Sequence, residues 1–197
     1  MKKSFIATFV FLFSALCVFA EFERTPEICV SAPAEKIAET LPPVKDIAGK
    51  FSQKKKLSGL DVVLKSSGEF AFSKNGIVWQ TLRPTKSTIK IDSEAIRFFD
   101  RADKLTREIK TSGNAKAQEI SAIIRDALLG DYANIENFFE LRLGGDKNSW
   151  CVRLSAKPEA KGIPLLEISI FGNAKSAREV FLKDKSGDET EIVFVAE

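Results

Sequence analysis

The 197-residue chain contains no histidine, one methionine, one tyrosine, two tryptophans and three cysteines. Without imidazole there is no Ser-His-Asp or Cys-His nucleophile couple, no His-ligated zinc or haem, and no histidine pH switch. No motif for a metal or a cofactor is present, and none is expected. The 30 basic residues nearly balance the 27 acidic ones, for a net charge of +3. A nucleic-acid-binding polycation is therefore not indicated. Low-complexity tracts, repeats and linker-like stretches are also missing after Ala20. What the chain does have is apolar surface, 44% hydrophobic residues with 16 phenylalanines, enough for one domain with a real core.

The first twenty residues carry much of that excess. Lys2 and Lys3 precede an apolar run from Phe5 to Phe19, broken by Thr8 and Ser14, which ends in Val18-Phe19-Ala20 before Glu21. This is the layout of a secretory signal, residues 1–20, cleaved after Ala20; the run is too short for the ~20 apolar residues of a membrane span. Cleavage removes two lysines and five phenylalanines (Phe5, Phe9, Phe11, Phe13 and Phe19), leaving 28 basic against 27 acidic residues. A lipoprotein signal at Cys17 is disfavoured by the bulky Leu16 before it. The mature chain, 21–197, then retains Cys29 and Cys151. Two readings of that pair stay open: a disulfide between the N-terminal segment and a late strand, or two unrelated buried thiols.

Local patterning predicts mostly strand. A short helix is expected over Ala34 to Leu41 (Ile37, Ala38, Leu41), stopped by Pro42-Pro43. From Ile47 the period becomes two, with Ile47, Gly49, Phe51 and Gln53 on one side. Further alternating runs are Leu60 to Lys65, ended by Ser66-Ser67-Gly68, then Glu69 to Ser73, the turn Lys74-Asn75-Gly76, and Ile77 to Gln80. The Asn-Gly pair is a strong hairpin signal, and Arg83-Pro84 closes a strand. Strands follow at 87–92, 95–99 and 104–110, then at 138–143, 149–156, 164–171, 177–183 and 190–195. Between them, Ala115 to Leu129 has Ile120, Ile123, Ile124, Ala127 and Leu128 at helical spacing with Gly130 as a stop. Residues 131–137 are expected to add a short helical turn. The sum is a mainly β fold: one curled antiparallel sheet of about ten or eleven strands, an N-terminal helix and one inserted helix.

A sheet this long curls, because twist accumulates. Following the alternation puts Phe51, Phe70, Phe72, Ile77, Trp79, Ile89, Ile91 and Trp150 on one face, with Ile120, Ile123, Ile124 and Leu128 of the inserted helix as its cover. A filled core and the lining of an apolar cavity both fit such a pattern.

Several of these stretches, in order, resemble one family. Phe51-Ser52-Gln53-Lys54, Ser66-Ser67-Gly68-Glu69-Phe70-Ala71-Phe72, Gly76-Ile77-Val78-Trp79-Gln80 and Arg83-Pro84 are similar to the LolA family of periplasmic outer-membrane lipoprotein carriers. The later Leu128-Leu129-Gly130-Asp131, Phe138-Phe139, Trp150-x-x-x-Leu154 and Gly187-Asp188-Glu189-Thr190 fit as well. The resemblance implies an open half-barrel whose apolar cavity shields the acyl chains of a lipoprotein or lipid in the periplasm, with the inserted helix as a lid. It also implies an inner-membrane ABC transporter or exporter as donor, an outer-membrane acceptor, a monomeric protein and no catalysis. In the family an arginine followed by proline bonds the lid. The matching pair here is Lys74-Asn75, and lysine lacks the planar five-donor fork of arginine. That departure suggests a divergent branch.

Two other functions are compatible with the residues. A carboxylate-based hydrolase would draw on Asp92, Glu94, Asp100, Asp103 or the 187–191 loop, although acidic turn residues are ordinarily solvated. A lipid- or lipoprotein-sensing module is the other. Lys54-Lys55-Lys56 reads as an exposed strand end or as a docking site for an acidic surface.

Overall fold

The computed structural model describes residues 29–41, 46–73, 75–112, 122–123, 126–127, 129–160 and 163–196. The signal segment, Lys74, and Ile120, Ile124 and Leu128 of the expected lid lie outside the described residues. Thirteen regular elements follow in chain order: β1 (Val30–Ser31), α1 (Ala34–Thr40), β2 (Ile47–Lys56), β3 (Val63–Ser73), β4 (Gly76–Arg83), β5 (Ser87–Ile91), β6 (Ala95–Phe99), β7 (Leu105–Lys110), β8 (Phe139–Gly145), β9 (Ser149–Ala156), β10 (Leu165–Asn173), β11 (Ala177–Asp184) and β12 (Glu189–Ala196). A 3-10 turn at Ile135–Asn137 precedes β8, within the expected 131–137 stretch.

All twelve strands belong to one sheet in the order β1-β8-β9-β10-β11-β12-β2-β3-β4-β5-β6-β7. It consists of two antiparallel meanders, β2 to β7 and β8 to β12, joined where β12 pairs with β2 from Glu189↔Lys56 to Ala196↔Gly49. The edges, β1 and β7, do not meet, so the sheet is a half-barrel and not a closed one. Eleven strands of five or more residues match the expected count, and the two-residue β1 adds a twelfth.

One expectation is corrected. The runs read separately around Ser66-Ser67-Gly68 form the single long strand β3, beginning at Val63 and not at Leu60. Serine and glycine signal a turn locally, but here Gly68 is needed for contact between strands. A Cβ on it would lie 1.8 Å from the Gln80 carbonyl oxygen, and the pairing with β4 shifts register between Ser67 and Gly68. The glycine accommodates a bulge inside the ladder.

Side chains directly opposite one another share a face, so the register shows how the core is assembled. One row runs Leu143, Val152, Ile170, Val180, Ile192. Another runs Ile47, Phe72, Ile77, Ile91. These rows lie on one face, the core face, and the helical segments pack onto it. From α1, Ile37 is fully buried and Ala34 and Leu41 nearly so. Of residues 122–129, the described ones are helical, and Ile123 and Ala127 enter the same core. This helix ends as its glycine indicated. Gly130 adopts φ +78°, and the Asp131 N–H donates to the Asp126 carbonyl at 2.9 Å, a Schellman closure. Each fully buried Leu, Ile or Phe on this face contributes about 1.5–3 kcal/mol.

Trp150 shows how tightly the β9–β10 side is packed. It is paired with Gly172, its indole N–H donates to the Asn173 carbonyl at 2.9 Å, and a Cβ on Gly172 would come within 2.1 Å of the ring. The rigid indole cannot swing aside as a flexible chain would. Gly172→Ala is therefore expected to destabilise the fold by about 1–3 kcal/mol and to shift tryptophan emission. Denaturant unfolding checks this, and an unchanged midpoint would contradict the packing described.

Candidate functional site

The densest part of the core face is an aromatic nest built from β2, β3, β4 and β12. Phe51 stacks on Trp79 with ring centroids 3.8 Å apart. Phe70 and Phe72, two apart on β3, are 4.7 Å from each other, and Phe194 meets Phe70 edge-on at 4.9 Å. Phe194 also contacts Phe72 at 6.0 Å and Trp79 at 6.1 Å, again edge-on. Such geometries are the favoured ones for aromatic pairs. They arise from register: Phe194 lies opposite Phe51, and Trp79 opposite Phe70. Gly68 stands between Phe51 and Thr81 in the ladder, where a Cβ would meet the β4 backbone at Gln80 and Thr81.

The expected residues are distributed unevenly. Phe51, Phe70, Phe72, Ile77 and Trp150 are buried at 3–4% exposure, with Trp79 and Ile91 half-buried against the same core. Trp150 sits on β9, away from the nest. Ile89 is half-buried and outside the core cluster, in a row with Trp79 and Phe98. A parallel row continues from Ile91 through Ile96 to Ile109, also half-buried. The apolar face thus extends beyond the closed core as a half-buried strip toward the β7 edge, where the Arg107 guanidinium lies 5.9 Å from the Phe98 ring. Sequence reasoning missed Phe194 and Phe98 as members of this face. Their alternation was visible, but which long-range partners they meet was not.

The acidic residues behave as turn-formers. Asp92 accepts from the Glu94 and Ala95 N–H groups at 2.8 and 2.9 Å and pairs with Arg97. Burial pushes its carboxyl up, but those N–H donors and the guanidinium outweigh it and hold the group below its usual range. Asp100 accepts from Ala102 and Lys104, and Asp103 pairs with Lys86 at 2.6 Å. Asp188 receives Lys55 at 2.8 Å and the Ser58 N–H at 2.9 Å, which depress its pKa in that order. Lys54 meets Glu191 at 3.5 Å. The lysine run therefore faces carboxylates of its own chain at its first two positions. The opposite side of the sheet holds a cleft of about 750 Å³ lined by charged residues, among them Lys54, Arg153 and Glu191, together with the apolar Val63, Phe171 and Phe181. Among the described residues, no group of three His, Cys, Asp or Glu is placed to hold a metal ion. Cys29 and Cys151 are brought together as thiols, with sulfurs 3.2 Å apart.

An unclosed antiparallel sheet with an aromatic and aliphatic face under helical segments defines a half-barrel of the carrier type. The model of the family described as "Outer membrane lipoprotein carrier protein LolA" matches residues 43–196, and the chain belongs to that family. It is a family of periplasmic carriers and not of enzymes. No curated protein matches the chain. Among solved structures, the chain is similar to a LolA superfamily protein from Nitrosomonas europaea, with 10% identity over 84% of this chain and 92% of that one and a TM-score of 0.43. A DUF1329 family protein from Desulfovibrio piger is 13% identical over 82% of this chain and 88% of that one, with a TM-score of 0.41.

The Asp188 contacts generate a pH test. Its folded pKa lies below the ordinary 3.8, so its contribution is complete above pH 3.8 and is lost as pH falls through the lower folded value. Asp188→Asn should lower Tm at pH 7, and the gap to wild type should close as the pH falls from 3.8 through the lower folded value. A gap of constant size across that range would show that the charge is not what stabilises the loop.

Proposed function

We propose that this protein is a periplasmic carrier that shields acyl chains of a lipoprotein or lipid against its core face and delivers them toward the outer membrane. The observation that carries this reading is the continuity of the apolar face. The aromatic nest around Phe51, Phe72 and Trp79 runs without a break into the half-buried strip of Ile89, Phe98, Ile91 and Ile96.

The energetics suit transfer. Removing an acyl chain from water gains about 0.8 kcal/mol per CH₂, so ten methylenes contribute on the order of 8 kcal/mol. Admitting cargo means moving part of the helical cover, which exchanges one set of apolar contacts for another. The two states then differ by little, and cargo can leave as readily as it enters. Ile120, Ile123, Ile124 and Leu128 are the residues proposed to form this movable cover. Phe51, Phe70, Phe72, Ile77, Trp79, Ile89 and Ile91 are proposed to line the site, with Trp150 on β9 set apart from the part that holds the chain, and Lys74 takes the position that controls the lid in relatives. Cleavage of residues 1–20 places the mature 21–197 chain in the periplasm. There it works as a monomer between an inner-membrane transporter or exporter and an outer-membrane acceptor.

The two tryptophans provide a direct test. A fatty acid brominated along its chain should quench Trp79 strongly. The quenching should persist in Trp150→Phe and largely disappear in Trp79→Phe. Equal quenching in both variants would move the cargo site away from the nest. Solvent extraction of the purified protein should release acyl lipid, and an interior that neither yields lipid nor takes up the probe would overturn the carrier reading.

A further inference from the structure

Cys29 and Cys151 are separated by 122 residues in sequence and by 3.2 Å between sulfurs. The sheet explains the encounter. Val30 pairs with Leu143 on β8, so Cys29, one residue earlier, falls beside Gly144, and Gly144 pairs with Cys151 on β9. Gly144 has no side chain, and nothing projects between the two sulfurs. Cys151 is fully buried, whereas Cys29 is partly exposed.

The segment following Cys29 is otherwise weakly held by its backbone. β1 pairs at two positions only, Val30↔Leu143 and Ser31↔Arg142, and Ala32 adds one N–H to the Leu141 carbonyl at 3.2 Å. The seven-residue α1 is too short to persist by itself. Yet it places Ile37 at the centre of the core.

We propose that the protein carries a Cys29–Cys151 disulfide that fastens α1 to the sheet as a fixed wall of the core face. The bond is independent of cargo; that α1 stays in place during uptake rests on the carrier reading. Formation is a thiol–disulfide exchange with an external disulfide, small-molecule or protein-borne. The Cys29 thiolate attacks one sulfur of that disulfide, forming a mixed disulfide and expelling one thiolate. Cys151, deprotonated in turn, attacks the Cys29 sulfur, closes the intramolecular bond and expels the second thiolate. Two cysteine thiols are oxidised, the external disulfide is reduced to two thiols, and the two cysteine protons end on them. Exposure sets this order. Burial, first, and the Cys29 contact push the Cys151 thiol up to about 12, which shelters it from outside reagents and suits it to resolve the mixed disulfide only.

The test uses the mature protein equilibrated in a glutathione redox buffer, then denatured and alkylated without reductant. The expected product has no adduct at Cys29 or Cys151 and a mass about 2 Da below the dithiol. Two adducts would overturn the bond. Trypsin cleavage after the exposed Lys36 should be at least about tenfold slower in the oxidised wild type than in Cys29→Ser, and Tm about 5 °C or more higher. Equal cleavage would overturn the anchoring of α1. Uptake of a fluorescent fatty acid should be the same with and without the bond, and uptake only after reduction would make α1 the moving part instead. No uptake in either redox state would remove the carrier reading together with the role of α1 in uptake, while the mass measurement still decides the bond.

Discussion

The pairing of β12 on β2 is the constraint on which the rest of this structure depends. Two meanders that each make only local contacts become one twelve-stranded sheet because the last strand returns to the first long one. That seam sets Phe194 opposite Phe51 and so assembles the aromatic nest, which no single meander contains. The same seam brings Lys54 to Glu191 on its outward side and Lys55 to Asp188 at its end, so ion pairs add to the rings that close it. The Lys54–Glu191 pair, with its lysine exposed, adds little, the Lys55–Asp188 pair is better sheltered, and the apolar side carries most of the stabilisation.

Leaving the sheet open creates the functional problem that the helical segments answer. A closed barrel would have paired β1 with β7. Here the apolar face is covered by α1 and the helical residues 122–123, 126–127 and 129, and the buried Ile37, Ile123 and Ala127 belong to the same core as the strands. An acyl cargo of the kind proposed would be chemically like this cover, so one could replace the other without exposing the face to water. A polar site could not be emptied and refilled this way, because each exchange would leave buried donors and acceptors unpaired. The two sides of the sheet divide accordingly, with apolar residues toward the helices and paired charges toward solvent.

Much of this was legible in the sequence. Period-two alternation located eleven of the twelve strands, Pro42-Pro43 and Gly130 marked where helices end, and five of the eight residues expected on the core face are buried there. The misreadings have one origin. Ser66-Ser67-Gly68 carries the composition of a turn, yet it runs through the middle of β3, because the space Gly68 leaves is used by β4. Phe194 was passed over because its partners are more than a hundred residues away.

The sequence by itself determined element types, the faces of each strand and the family to which the chain belongs, since these depend on neighbours a few residues apart. Only the tertiary structure decided which faces meet. Strand order, the register that stacks Phe51 on Trp79, and the approach of Cys29 to Cys151 across Gly144 are set by backbone pairing between distant segments. No local pattern encodes those distances, because one face of alternating apolar residues is compatible with many registers until the whole sheet chooses one.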